Sequence, residues 1–252
     1  MRLAALTAVQ RSQPIWFGFL AFCSLVGCGL VWFLKNHRGG GTDSIVGAGV
    51  ATVTADANDP QATRVSDSMW TADEPYWGDI GVTYDPQDAH VYVFGHGASS
   101  LNLKANVYLA RVEAPRATEL EAYEYWDQSK SAWTKQRFGN GQNGTLQYSS
   151  AQAIFSYASH GQSNAFWSTH YNSWMFVHGA DWGDSEIYVS TAPELEGPWS
   201  KPLSIGTTCP TGTCGKLRYC IAPHPEFDPS GKTLLVTWTD SNDVHAVKVT
   251  WQ

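Results

Sequence analysis

The sequence predicts an all-β fold: a β-propeller with about three blades present in this chain, joined to an N-terminal transmembrane helix. Three observations predict it. The first is an internal repeat of two short apolar runs separated by a polar loop. It reads Val91-Tyr92-Val93-Phe94-Gly95-His96 with Asn106 to Val112, then Trp174 to Gly179 with Ile187 to Thr191, then Leu234 to Thr239 with Val244 to Val249. Antiparallel strand pairs recurring at this period are how propeller blades look in sequence. The second is composition. Aromatic residues make up 13% of the 252, including 12 Trp, while charged residues make up only 15%. That balance suits packed sheets better than helical bundles or disordered chain. The third is the run from Ile15 to Leu34, which carries no charge. About 20 such residues as a helix span a hydrocarbon core.

These observations divide the chain into a tail (1–14), a membrane anchor or signal segment (15–34), a flexible linker (35–68) and a partial propeller (69–252). Arg2 and Arg11 before the apolar run and Lys35 and Arg38 after it leave its orientation nearly tied. An uncleaved anchor with an extracellular or lumenal domain is the first reading. A cleaved signal peptide, giving a secreted protein, is the second. Leu25-Val26-Gly27-Cys28 also fits a lipoprotein cleavage box, although the apolar continuation from Gly29 to Leu34 argues against it. Residues 35–68 are rich in Gly, Ala, Thr and Asp, open on Gly39-Gly40-Gly41, and read as a stalk too poor in apolar surface to pack a core.

From Trp70 onward, β-branched and aromatic runs alternate with turn signals. Asp85-Pro86-Gln87-Asp88, His170-Tyr171-Asn172-Ser173 and Asp228-Pro229-Ser230-Gly231 are turns between a first and a second strand. The preceding strands are Ile80 to Tyr84, Ala165 to Ser168 and the approach to Phe227. The stretch from Thr118 to Tyr125 reads either as one helical turn or, from Tyr123, as an outer strand.

Net charge is −7 and no basic stripe occurs, which argues against nucleic acid as a partner. Cys209, Cys214 and Cys220 cluster; a Cys209–Cys214 disulfide closing the Pro210 to Thr213 turn is the first reading in a secreted domain. Cys220 would then be left over. A zinc site is the rival and lacks a fourth ligand. Asn143-Gly144-Thr145 is a lone glycosylation sequon.

The order of several short motifs carries a resemblance. They are Gly78-Asp79-Ile80-Gly81, Tyr123-Glu124-Tyr125-Trp126-Asp127 with Trp133, Phe166-Trp167-Ser168 with Tyr171-Asn172, Thr191-Ala192-Pro193 with Gly197-Pro198-Trp199-Ser200, and His224-Pro225 with Ser230-Gly231-Lys232-Thr233. Together they resemble the five-bladed propellers of the domain-of-unknown-function 4185 group, most nearly its fungal branch, over Trp77 to Trp251. The resemblance implies a secreted, glycoside-hydrolase-like protein whose relatives include enzymes cutting arabinan internally. It also implies roughly two further blades on the N-terminal side, where the family's acidic catalytic pair is expected. A catalytically inactive carbohydrate-binding or interaction module, as a truncated family member, is the alternative reading, with self-association through open blade edges.

Propeller geometry gathers the candidate site. Starts of first strands and loops joining second to third strands emerge on one face, which predicts Asp79, His96, His178, Asp181, Asp184, His224, Glu226 and Asp240 around one mouth. Glycoside hydrolysis needs a protonated carboxyl and a carboxylate on opposite sides of the bond, which nominates Asp79 and Glu226 as the catalytic pair. His96 and His178 hold equivalent repeat positions, as substrate contacts or as structural ties between blades. Trp77, Trp167 and Trp182 flank these positions as stacking platforms for a polysaccharide or oligosaccharide. No cofactor is expected, beyond calcium as a minor option at Asp181, Asp184, Asp240 and Asp243.

Overall fold

In a computed structural model, the residues described are 18–21, 28–39, 42–54, 59, 61–156, 163–179, 185–209, 212, 218–241 and 243–251. They form a propeller-like all-β fold with four blades, one more than the repeat predicts. The first blade comprises β1 (Gly18–Ala21), β2 (Cys28–Gly39), β3 (Thr42–Thr54), β4 (Ala62–Arg64) and β5 (Trp70–Thr71). Its order is β1-β2-β3-β4, with β5 also on β3. The second blade has β6 (Tyr76–Asp85), β7 (His90–His96), β8 (Asn106–Glu113), β9 (Glu124–Asp127) and β10 (Ala132–Thr134) in sequence order. β11 (Phe138–Gly139) and β12 (Leu146–Gln147) form a small parallel pair, and β13 (Phe155–Ser156) joins β8. The third blade is β14 (Asn164–Ser168), β15 (Ser173–Gly179), β16 (Glu186–Ala192) and β17 (Leu203–Thr207). The fourth is β18 (Arg218–His224), β19 (Thr233–Asp240) and β20 (Asp243–Thr250).

The three repeat copies are therefore β7–β8, β15–β16 and β19–β20, the second and third strands of three blades. Between Thr118 and Tyr125 the chain does both things its sequence suggests. Leu120–Ala122 is a 3₁₀ turn, and an outer strand follows at Glu124.

Where residues 18–54 are described, they form strands. Among them, no helix is long and apolar enough to cross a membrane. Residues 28–34 of the expected anchor belong to β2, and residues 42–54 of the expected linker form β3, paired with β2 from Cys28↔Thr54 to Gly39↔Thr42. Residues 1–17 and 22–27 lie outside the described residues. The physical reason lies in packing. A short apolar run bounded by turns serves equally as a strand buried on both faces. Trp32 is fully buried and Leu30, Phe33 and Leu34 nearly so. β3 is poor in bulk because β2 supplies it. A Cβ on Gly49 would stand 2.7 Å from the Phe33 ring, and one on Gly47 would stand 2.7 Å from the Trp70 carbonyl.

Three apolar clusters lie between neighbouring blades. Trp32, Val50, Trp70, Trp77, Tyr108 and Tyr125 join the first blade to the second. Ile80, Phe94, Leu109, Ala165, Trp174 and Phe176 join the second to the third. Val177, Ile187, Ile221, Val236 and Trp238 join the third to the fourth. Each fully buried large side chain contributes about 1.5–3 kcal/mol, so these seams hold the blades side by side.

The first strands run alongside one another near the centre, with β6 against β1, β2 and β14, and β14 against β18. Ser163 N–H donates to the Ile80 carbonyl at 2.8 Å and Thr83 Oγ1 to the Ala165 carbonyl at 2.6 Å. The turns that end these strands adjoin as well: Thr169 Oγ1 donates to the Pro229 carbonyl at 3.2 Å. Asp228 braces its own turn, accepting from Ser230 N–H and Oγ and from Thr233 N–H and Oγ1 at 2.7–3.0 Å. Those donors, Ser230 foremost, hold its carboxyl down at about 2. The outer strand β20 leaves an exposed edge, on which Val244 is 76% exposed.

Candidate functional site

The described candidates separate onto two ends of the inner strands. At the first end, β6 carries a bulge. Trp77 pairs with Gly95 and Gly81 with Phe94, so Gly78, Asp79 and Ile80 intervene. Gly78 sits at φ 87°, and a Cβ there would collide with Trp32, so the bulge requires glycine. The bulge turns Asp79 back onto the end of β7. His96 backbone N–H donates to Asp79 Oδ1 at 3.0 Å, and His96 Nδ1 donates to Oδ2 at 2.9 Å. Both carboxyl oxygens thus serve one residue, and the proton on Nδ1 fixes the imidazole tautomer.

His178 occupies the corresponding place near the end of β15. Its Nδ1 donates to the Gly179 carbonyl at 2.8 Å, and its ring stacks on Tyr188 at 5.6 Å. Asp240 ends β19 at the third equivalent position, accepting from Ser241 Oγ at 3.0 Å. His96 and His178 are 5% and 2% exposed. Of the two readings open in the sequence, burial favours ties within the fold over contacts to a substrate.

Burial pushes the His178 imidazole down to about 4, partly opposed by its bond to the Gly179 carbonyl. The unfolded chain takes up this proton near pH 6.5 and the folded chain only near 4. The site's contribution to stability is therefore whole above pH 6.5 and is lost as pH falls to 4, by about 3 kcal/mol. In His178→Phe, the difference in unfolding free energy between pH 7 and pH 4 should shrink by about that amount. Urea titrations at both pH values check this, and an unchanged difference would contradict it.

At the second end stand Glu226 and His224. The fourth blade's first strand is Arg218–His224, so His224 ends it and Glu226 follows it, whereas the sequence places them at its start. The apolar Tyr219 to Ala222 stretch just before His224 is the signal that identifies that strand. Glu226 shares a cavity with Asp85 and Gln87, the end of β6, six and more residues along the strand from Asp79. Asp79 and Glu226 therefore lie toward opposite ends of the inner strands. His224 instead bridges Glu226 Oε1 and Thr237 Oγ1, each at 2.9 Å.

That cavity has a volume of about 560 Å³ and lies among β6, β14 and the residues that follow β18. Trp167 lines it and stacks edge-on against Trp174 at 5.6 Å. Ala165 N–H donates to Asn164 Oδ1 at 3.0 Å, with Thr83 Oγ1 2.8 Å from the same atom, which orients the amide. The sequence does not single out Asp85, Gln87 or Trp174 as site residues, and marks Asn164 only as the start of an inner strand. The Asp85 to Asp88 tetrad was legible only as a turn, and Trp174 only as part of a buried strand.

Trp77 is fully buried between Trp70 and Tyr125, with ring centroids at 6.5 and 5.4 Å, and so offers no face to a sugar. Asp181, Trp182, Asp184 and Cys214 lie outside the described residues. Cys209 is disulfide-bonded, and burial pushes the Cys220 thiol up to about 11. Asn143 is exposed on the turn between β11 and β12. Among the described residues, no group of three or more His, Cys, Asp or Glu side chains is placed to hold a metal ion.

Comparison with solved structures places this architecture. A candidate hydrolase from Bacteroides ovatus superposes with TM-score 0.61 at 13% identity, covering 90% of this chain and 55% of that one. A xylan β-1,4-xylosidase from Bacillus halodurans gives 0.51 at 11% identity, covering 98% and 43%. The fold is that of the glycosidase-type propellers. A glycosyl hydrolase from Bacteroides ovatus gives 0.50 at 12% identity, covering 95% and 68%. The chain thus spans about half the length of the first two. No protein-family model matches it, and no curated protein does.

Proposed function

We propose that the chain is a carbohydrate-active protein of the glycosidase-propeller type, and that among the described residues it is built for binding rather than cleavage. The observation that carries the first part is the four-bladed fold, shared along most of the chain with a xylosidase and a glycosyl hydrolase. The second part rests on Asp79. Both its oxygens are engaged by His96, and its nominated partner Glu226 stands at the other end of the strands. Hydrolysis with retention needs two carboxyls about 5–5.5 Å apart, and inversion needs roughly 6.5–9.5 Å.

The resemblance to the domain-of-unknown-function 4185 group suggests a furanose polysaccharide such as arabinan as the ligand. The disulfide at Cys209 supports an extracytoplasmic location, with Cys214 as its proposed partner, and the exposed sequon at Asn143 fits the same route. The exposed edge of β20 is where a second copy would pair.

Native affinity electrophoresis on linear arabinan, alongside a reducing-end assay, tests this reading. Retardation without new reducing ends is expected. Reducing ends that disappear in Asp79→Ala would overturn the binding-only part. Unretarded migration on arabinan, xylan and galactan alike would overturn the carbohydrate reading.

A further inference from the structure

The cavity runs along β6 and the turn after it from Val82 to Gln87 and along β14 from Asn164 to Trp167, reaches Glu226, and is lined by neither Asp79 nor His96; its lining has a definite chemistry. One wall is aromatic, with the Trp167 ring held edge-on by Trp174. The polar groups come from three different segments: Asp85 and Gln87 at and just after the end of β6, Asn164 on β14, and Glu226 after β18. Each is held in place. Asp85 Oδ1 accepts from Gln87 N–H at 2.9 Å, Glu226 is bound by His224, and Asn164 Oδ1 accepts from Ala165 N–H at 3.0 Å, which orients the amide with Nδ2 as its donor. An apolar wall facing a few convergent, oriented polar groups is the usual construction of a small-molecule site, and about 560 Å³ falls within the range of roughly 300–1,000 Å³ such sites occupy.

Charge narrows the ligand further. The lining contains two carboxyl groups, Asp85 and Glu226, and no Lys, Arg or His. An anionic ligand would meet unlike desolvation costs and like charge at close range. A phosphate or a uronic acid is therefore disfavoured. A neutral sugar offers what the walls lack: C–H faces for the indole and hydroxyl donors for the carboxyl oxygens. Hydrogen bonds to carboxylates are about twice as strong as neutral ones, which suits them to orienting a polyol.

We propose that this cavity, whose lining includes neither Asp79 nor His96, is a saccharide-binding site for a short neutral oligosaccharide. The proposal rests on the carbohydrate reading of the protein only for the class of ligand; the place and the charge preference come from the cavity itself.

Titration calorimetry on the full chain with α-1,5-arabinotriose and with trigalacturonate tests it. Wild type should bind the neutral trisaccharide at least about ten-fold more tightly than the acidic one. Glu226→Gln should weaken arabinotriose binding by about ten-fold or more and narrow that preference, since a hydrogen bond to a charged group is lost. Trp167→Ala should abolish measurable binding. Because Trp167 also packs on Trp174, the exposed Gln87→Ala provides a second variant without a packing role, with binding weakened and melting temperature unchanged. If arabinotriose binds wild type and all three variants equally, the cavity proposal fails while the carbohydrate reading stands. If the wild-type chain binds neither trisaccharide and no polysaccharide retards it, the carbohydrate reading itself fails and takes the site with it.

Discussion

Trp32→Ala should destabilise the chain by about 3–5 kcal/mol, the cost of emptying a buried tryptophan site. Trp32 is fully buried on β2, in the cluster that joins the first blade to the second. Its Cβ sits where a side chain on Gly78 would have to go, so the residue abuts the bulge that aims Asp79. Domains of ordinary stability have only about 5–15 kcal/mol in total, and the loss is a large share of that. The substitution also separates two accounts of the N-terminal apolar run. In a membrane anchor or stalk, Trp32→Ala would leave the unfolding midpoint of the remaining domain where it was. As part of a blade, it must lower it. Chemical denaturation of both proteins decides between them, and coincident curves would contradict the four-bladed fold.

Glu74→Ala should cost a similar amount, about 3–5 kcal/mol, for a different reason. Its side chain is fully buried between β5 and β6. It accepts from Thr71 N–H at 2.9 Å, Thr71 Oγ1 at 3.2 Å and Arg137 Nε at 2.9 Å, with a further bond from Arg137 Nη2. The Glu74 bond in turn raises the Arg137 guanidinium above its ordinary range. Removing the carboxylate leaves a half-buried cation and a backbone donor without their acceptor, and the penalty is mostly theirs. The double variant Glu74→Leu/Arg137→Met should therefore recover most of the loss. A double-mutant cycle measures the coupling, and a value below about 1 kcal/mol would mean that the pair behaves as an exposed one. This brace lies five residues before Asp79, so it also sets the entry of the strand that carries the bulge.

How much of this was legible depends on how each blade stores its bulk. In the second, third and fourth blades, each strand pair carries its own aromatic and β-branched residues between turn tetrads. The repeat at Val91, Trp174 and Leu234 could be read directly as a result. The first blade distributes its bulk unevenly. Phe33 on β2 fills the space that Gly49 on β3 leaves open, and Trp70 and Ser68 fill that beside Gly47. Read alone, the first half of β2, Cys28 to Leu34, has the hydrophobicity of a membrane span, and β3 has the small-residue composition of a linker. Only their pairing reveals a sheet, and pairing is a long-range property that local composition does not carry.

The site divides in the same way. The equivalence of His96 and His178 was visible from the repeat, and the shared face of Asp79 and His96 followed from strand polarity. Their burial, and the bonds that occupy both Asp79 oxygens, depend on a bulge at Gly78 that no periodicity announces. Glu226 was assigned to the wrong end because the turn tetrad at Asp228 was visible while the strand before it was not. The chain takes Tyr219 and Ala222 through a register shift, with Cys220 at φ 56°, which breaks the alternation that would mark β18. The cavity was missed because its polar groups come from three blades and none forms a motif by itself.

Amide hydrogen exchange of the intact chain, followed peptide by peptide over residues 28–54, tests the central claim most directly. If β2 and β3 form the first blade of a four-bladed propeller, their amides should be protected to the same order as those of β7 and β15, opening only with global unfolding. Exchange across 35–54 that is complete within seconds, while β7 and β15 stay protected, would contradict it.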